Sequence, residues 1–190
     1  MIKNVLITGH PGSGKTTLLK KIIARFGHLA LTGFYTEEIR EEGRRVGFKV
    51  VTLSGQSAIF AHKDFHAGPE RRVGRYGVKP QVLDALVLRH LNAARKSADL
   101  VVIDEIAKME LFSSAFKEAL VQVLDSLFPV LATISIKGSG LIKKIKERDD
   151  VALFTVTPKN RDVLGEQIQR QMNEIFSASA PRSRKAIPSV

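Results

Sequence analysis

A chain of 190 residues with 44% apolar and 26% charged content has the size and composition of one globular domain, which argues against disordered, collagen-like and coiled-coil classes. It contains no cysteine, so disulfides, thiolate zinc sites, iron–sulfur clusters and cysteine nucleophiles are excluded together. The net charge of +11 favours anionic partners, but the basic residues are spread over several segments, as on a solvated surface more than in a nucleic-acid footprint. The apolar stretch that follows Asn4 is too short for a signal core or a membrane span, so a cytoplasmic protein with no membrane association is expected.

Residues 5–8 form a short apolar run that ends in Gly9, and Leu18, Leu19, Ile22, Ile23 and Phe26 then recur at helical spacing. The predicted start is therefore strand, glycine-rich loop, helix. Over residues 31–53 β-branched and aromatic residues flank Glu41, Glu42, Gly43 and Arg44, which predicts a hairpin turning near Gly43. Periodicity fades over residues 54–79, where Gly55, Gly68, Pro69, Gly74 and Gly77 predict a long irregular insert. After Pro80 the expectation is a helix, a strand at 100–103, and a helix carrying Phe112, Phe116, Leu120, Val123 and Leu127. A strand at 130–136, a short basic helix at 141–148, a strand at 151–156 and a helix with Leu164, Ile168, Met172 and Ile175 follow. Alternation of this kind predicts an α/β fold, a mostly parallel sheet flanked by helices with the hairpin added. Residues 177–190 are rich in serine, proline and basic residues, so one domain over 1–176 and a disordered basic tail are expected.

The stretch Gly9, His10, Pro11, Gly12, Ser13, Gly14, Lys15, Thr16 fits G-x-x-x-x-G-K-[ST], the phosphate-binding loop, and Thr17 continues it into the helix. The match falls where its mechanism needs it. Glycine lets the backbone curve so that successive N–H groups and a helix N-terminus face phosphate. Lys15 would reach the β and γ oxygens, and the Thr16 hydroxyl would ligate Mg²⁺. The second half of the chemistry is Asp104 and Glu105 at the end of an apolar strand, the edge where open α/β sheets bind ligands. Asp104 is the candidate for the Mg²⁺ shell and Glu105 for polarising the attacking water.

The phosphate loop, TGFYTEEIR (32–40), VGRYGV (73–78), DEIAKMEL (104–111) and TPKNR (157–161) together resemble the P-loop nucleoside-triphosphatase family that includes the animal cancer-related nucleoside-triphosphatase. The resemblance covers residues 1–176. It implies the three-layer P-loop NTPase fold and Mg²⁺-dependent hydrolysis of several nucleoside triphosphates, with diphosphates as poorer substrates. The chain departs from the family pattern at Ala107, where glycine is usual; a positive φ there would strain alanine and displace Lys108.

Lys108 and Arg161 are further candidates for phosphate contact, and any of Arg71, Arg72 and Arg75 would suit a charge-neutralising role, each against the plainer reading of a solvated side chain. His62 and His66 stand four apart but lack a third ligand nearby, and the stripe of Phe112, Phe116 and Leu120 reads as core. The expected reaction is in-line attack of water on the γ-phosphorus, with Lys15 and Glu105 as catalytic residues, in a monomer whose partners are nucleoside triphosphates. A small P-loop kinase and a nucleic-acid-dependent ATPase are the alternatives. The latter finds little support in ten phenylalanines, two tyrosines and no tryptophan without a stacking motif. A guanine-specific switch is disfavoured by the absence of Asn-Lys-x-Asp.

Overall fold

Alternation along the buried strands sorts the core onto two faces of one sheet. The computed structural model describes residues 1–178, apart from the side chains of residues 93–97. In β1 (Asn4–Thr8) every residue is buried: Val5 and Ile7 pack on one side, Leu6 on the other. Strand β7 (Leu100–Ile106) divides in the same way, Leu100 and Val102 against Val101 and Ile103. Strands buried on both faces need helices on both faces. Helices α1 (Lys15–Arg25) and α5 (Arg161–Ala178) cover one side through Leu18, Leu19, Ile22, Leu164, Ile168 and Met172. On the opposite side lie α2 (Pro80–Ser97), α3 (Ser114–Asp125) and α4 (Leu141–Lys146). Of the expected stripe, Phe116 and Leu120 are core at 0% exposure and Phe112 packs partly buried against them from the turn before α3, whereas Leu127, expected on the same helix, lies past its end and is 91% exposed.

The sheet has nine strands in the order β5-β6-β4-β3-β2-β7-β8-β1-β9. Strands β2 (Leu31–Glu41), β7, β8 (Val130–Ile134), β1 and β9 (Val151–Thr155) pair in parallel. Strand β3 (Arg44–Thr52) folds back on β2 through the turn at Gly43, as the sequence predicts, and begins an antiparallel wing. The segment 54–79 departs from its expectation. Instead of an irregular insert it contributes β4 (Ser57–His62), a 3₁₀ turn at Pro69–Arg71, β5 (Arg72–Val73) and β6 (Tyr76–Val78). All of these strands pair antiparallel within the wing. The last helix runs through Ala178, two residues past the expected domain boundary at 176, and the remainder of the tail, 179–190, lies outside the described residues. No helix among the described residues is long and apolar enough to cross a membrane.

At the end of the sheet away from the phosphate loop, Asn4 is fully buried, and its Nδ2 donates to Leu124 O and to Asp150 Oδ2, each at 3.1 Å. Arg148 grips Asp150 through Nε and Nη2 at 2.8 and 2.9 Å and Asp125 through Nη1 at 2.7 Å, and Lys3 adds an ion pair at 3.3 Å. The Arg148 guanidinium, helped by Lys3, holds the Asp150 carboxyl at about 2, below its ordinary 3.8. A depressed carboxyl stabilises the fold above its unfolded pKa and loses that contribution as pH falls through the folded value. Asp150→Asn is therefore expected to cost up to about 2 kcal/mol at pH 7. Denaturant melts of parent and variant should converge between about pH 4 and pH 2; an undiminished gap at pH 2 would show that the pair does not act through charge.

Candidate active site

Everything in the loop after β1 follows from the geometry of the helix it opens. Gly14 caps α1 with φ 95°, in the left-handed region, and no side chain satisfies the first-turn amides. Those amides, the helix dipole and Lys15 make a binding place for phosphate. A Cβ on Gly14 would lie 2.8 Å from the Arg161 guanidinium carbon, because Arg161 packs against the loop from α5 and donates from Nη2 to Ser13 O at 3.2 Å. Arg161 is not among the residues that line the cavity in front of the loop; its contact is with the loop backbone.

That cavity is about 910 Å³. The loop supplies Gly9, His10, Pro11, Gly12 and Gly14 together with Lys15, Thr16 and Thr17, while Ser13 stays beneath, 5% exposed, with its hydroxyl unpartnered. The end of β7 supplies Glu105, and the residues after it Ala107, Lys108, Met109 and Glu110. Ala107 has no positive φ, since Glu42 is the one non-glycine residue with φ above zero among the described residues, so alanine sits there without backbone strain. The wing closes the far side with Thr36, Glu37, Glu38, Arg40, Arg45, Phe48, Phe60 and Val73. Arg71, Arg72 and Arg75 do not line the cavity; Arg75 donates instead to Arg45 O and to the Tyr76 hydroxyl. His62 pairs with Asp64 at 3.4 Å, and no cluster of metal-ligating side chains of three or more occurs among the described residues.

Two carboxyls and one ammonium set the electrostatics. Lys15 Nζ lies 3.2 Å from Glu105 Oε1 and donates to Gly9 O at 3.3 Å. Burial pushes the Glu105 carboxyl upward; Lys15 opposes that and Asp104 adds to it. Asp104 is fully buried below the cavity, its Oδ1 accepting from the Thr133 hydroxyl and its Oδ2 without a partner. Burial raises this carboxyl too, against the pull of the Thr133 and Thr16 hydroxyls, the Thr36 backbone amide and Lys15. A buried, unpartnered carboxylate oxygen next to the Thr16 hydroxyl is the donor set a hard cation such as Mg²⁺ takes.

The wing is tied to α1 by charge. Glu37 pairs with Lys20 of α1 at 3.0 Å and with Lys49 of β3 at 2.9 Å, and the Lys20 ammonium stands 3.8 Å over the Tyr35 ring. Glu38 bridges Arg40 and Arg45 at 2.5 and 2.7 Å. Sequence reasoning assigned no role to Glu110, Arg45, Phe48, Phe60 or Ser135, all of which the fold brings to the cavity. Glu37, Glu38 and Glu110 lay inside the strings that carry the family resemblance, which was their one available signal; nothing near Phe60 marked it.

A strand, a glycine-rich loop and a helix on the parallel half of an α/β sheet, with an acid two strands away, place this chain in the class of P-loop nucleotide-binding proteins. The family described as NTPase matches residues 4–169. The nucleoside-triphosphatase THEP1 of Thermotoga sp. strain RQ2 is 43% identical over 173 residues, covering 91% of this chain and 93% of that one. The cancer-related nucleoside-triphosphatase homolog of Mus musculus is 41% identical over 177 residues, covering 86% and 93%. The crystal structure of THEP1 from Aquifex aeolicus superposes with a TM-score of 0.79 at 39% identity, over 89% of this chain and 98% of that one. The chain belongs to this NTPase family.

Because Lys15 is the loop's own cation and lines the cavity, Lys15→Ala is expected to weaken nucleoside triphosphate binding at least about tenfold, roughly 1.4 kcal/mol. Titration with a fluorescent triphosphate analogue measures it. An unchanged Kd would mean that residues 9–16 are not the working phosphate site.

Proposed function

We propose that this protein is a Mg²⁺-dependent nucleoside triphosphatase that hydrolyses ATP, GTP, CTP and UTP to the diphosphate and phosphate, and diphosphates less efficiently. The observation that carries the reading is Glu105, a half-buried carboxyl in the cavity wall within ion-pair distance of the phosphate-loop lysine. Its relatives bear the name nucleoside-triphosphatase, which supports the same activity here.

The arriving β and γ oxygens compete with Glu105 for Lys15. Once Lys15 turns to phosphate, Glu105 is released to accept a proton from a water beside it. The water oxygen bonds to the γ-phosphorus as the bond from that phosphorus to the bridging oxygen breaks, its proton passes to Glu105, and the diphosphate leaves with charge that Lys15 offsets. Burial brings Glu105 closer to neutrality than a free carboxyl, which strengthens it as a base near pH 7. Thr16 Oγ1 and Asp104 Oδ2 would hold the Mg²⁺, which when bound withdraws charge from the phosphoryl oxygens.

The cavity continues past the acids to Phe48 and Phe60, and that room favours the second reading, a small P-loop kinase with an acceptor seated against the wing. Phosphate release in the absence of any acceptor separates the two. Glu105→Gln keeps size and hydrogen bonding but deletes basicity, so single-turnover hydrolysis should slow by about 10² to 10⁴-fold, roughly 3–5 kcal/mol of barrier, with Mg²⁺ dependence unchanged. Asp104→Asn should raise the Mg²⁺ requirement as well. Rescue of Glu105→Gln by added Mg²⁺ would assign the glutamate to the metal instead. A panel of triphosphates should show weak base selectivity; a preference above about a thousandfold in kcat/KM, about 4 kcal/mol, would contradict the broad substrate range.

A further inference from the structure

The carboxyl that hydrolysis as written above does not use is Glu110. It opens the 3₁₀ turn Glu110–Phe112 a few residues beyond the strand end that carries Asp104 and Glu105, it is 4% exposed, and it lines the nucleotide cavity. Its Oε2 is buried without a partner. The turn does not need that oxygen, because Leu111 N–H donates to Ala107 O and Ser113 N–H to Glu110 O. An unsatisfied acid in a protein interior is costly, and an apolar side chain of the same volume would be more stable there. Such an oxygen in the wall of a ligand cavity is accounted for by what enters the cavity.

The other carboxyls of the cavity wall are already engaged. Glu37 is held by Lys20 and Lys49, Glu38 by Arg40 and Arg45, and Glu105 by Lys15. Glu110 has no such ion pair: it lines the cavity with a buried oxygen that no protein group among the described residues partners. It also lies on the side where the γ-phosphoryl must be. The loop after β1 takes the inner phosphates and Lys15 reaches on to the γ oxygens, and the sheet order then runs through β8 to β7, whose end and following turn bound the next part of the cavity.

We propose that Glu110 binds the γ-phosphoryl group, its Oε2 hydroxyl donating a hydrogen bond to a γ-phosphoryl oxygen. Burial, with Glu105 and Asp104 adding to it, pushes this carboxyl up to about 8, while the backbone amides of Glu110 and Ala107 pull the other way. At neutral pH the group therefore keeps the proton that donation requires and adds no third negative charge beside a triphosphate. A carboxylic acid held neutral by its surroundings so that it can donate is a known catalytic device. Since only triphosphates carry the γ group, the contact distinguishes triphosphate from diphosphate.

The assignment rests on the hydrolysis reading, and its test uses the parent with Glu110→Met, which keeps volume and removes donation, and Glu110→Gln, which keeps a neutral donor. Hydrogen bonds to charged groups are strong enough that kcat/KM for ATP should fall about 10- to 100-fold in Glu110→Met. The Kd for ADP should stay within about threefold, and Glu110→Gln should hydrolyse ATP within about threefold of the parent. Melting temperature should rise in Glu110→Met at pH 8, since the buried acid is gone, so a loss of activity cannot be read as a loss of fold. Glu110→Leu serves as the non-donor if Glu110→Met does not fold. Parental ATP turnover in the non-donor variant, equal losses for ATP and ADP, or Glu110→Gln falling as far as Glu110→Met would each overturn the proposal. A parent that releases no phosphate would instead sink the hydrolysis reading itself.

Discussion

One ammonium, that of Lys15, stands between the phosphate loop and the acids at the end of β7, and the working of the site depends on it. Asp104 is fully buried and Glu105 half-buried, and burial alone drives both carboxyls towards their neutral forms. Lys15 opposes that shift at both, directly at 3.2 Å for Glu105 and through space for Asp104. The same nitrogen is the one the loop offers to phosphate. In the proposed hydrolysis, nucleotide binding and release of the base are a single exchange of partners, which would tie proton acceptance to the presence of substrate.

The fold serves that exchange by bringing three separate stretches of chain to one sheet edge. The parallel strands β1, β8 and β7 set the loop and the acids two strands apart, and the antiparallel wing extends the sheet so that Glu37 and Glu38 line the cavity in front of the loop. The wing's charges are mutually paired, Glu37 with Lys20 and Lys49, Glu38 with Arg40 and Arg45. The Glu37–Lys20 pair braces β2 against α1 and the others tie β2 to β3, although exposed pairs of this kind contribute little to global stability one by one. Arg161 does comparable work from the other side, packing on Gly14 and Ser13.

How much of this was legible in the sequence depended on whether local pattern or tertiary burial carried the information. The phosphate loop could be read because phosphate chemistry demands glycines and a lysine at fixed spacing, and the parallel strands because residues such as those of 5–7 are apolar on both faces. Strands β5 and β6 could not, since Arg72–Val73 and Tyr76–Val78 are too short to show alternation and owe their pairing to partners elsewhere in the chain. Of the glycines of that region, read as breaks, Gly55 and Gly74 are turn points between paired strands, whereas Gly77 lies within β6. Glu110 was equally hidden: an acid opening a turn looks solvated until the packing of β7 and the neighbouring helices encloses it. Ala107 taught the opposite lesson, a departure from the family pattern that the backbone accommodates with ordinary dihedrals.

The proposed hydrolysis has water as the nucleophile, activated at Glu105 beside Lys15, with no side chain taking the phosphoryl group on the way. The stereochemical course at phosphorus tests this most directly. Hydrolysis of a γ-thiotriphosphate made chiral by ¹⁸O, carried out in ¹⁷O-enriched water, gives a thiophosphate whose configuration reports the number of displacements. A single in-line displacement inverts the configuration, and inversion is the expected result; retention would require a phosphorylated residue on the protein and would contradict direct attack by water held at Glu105.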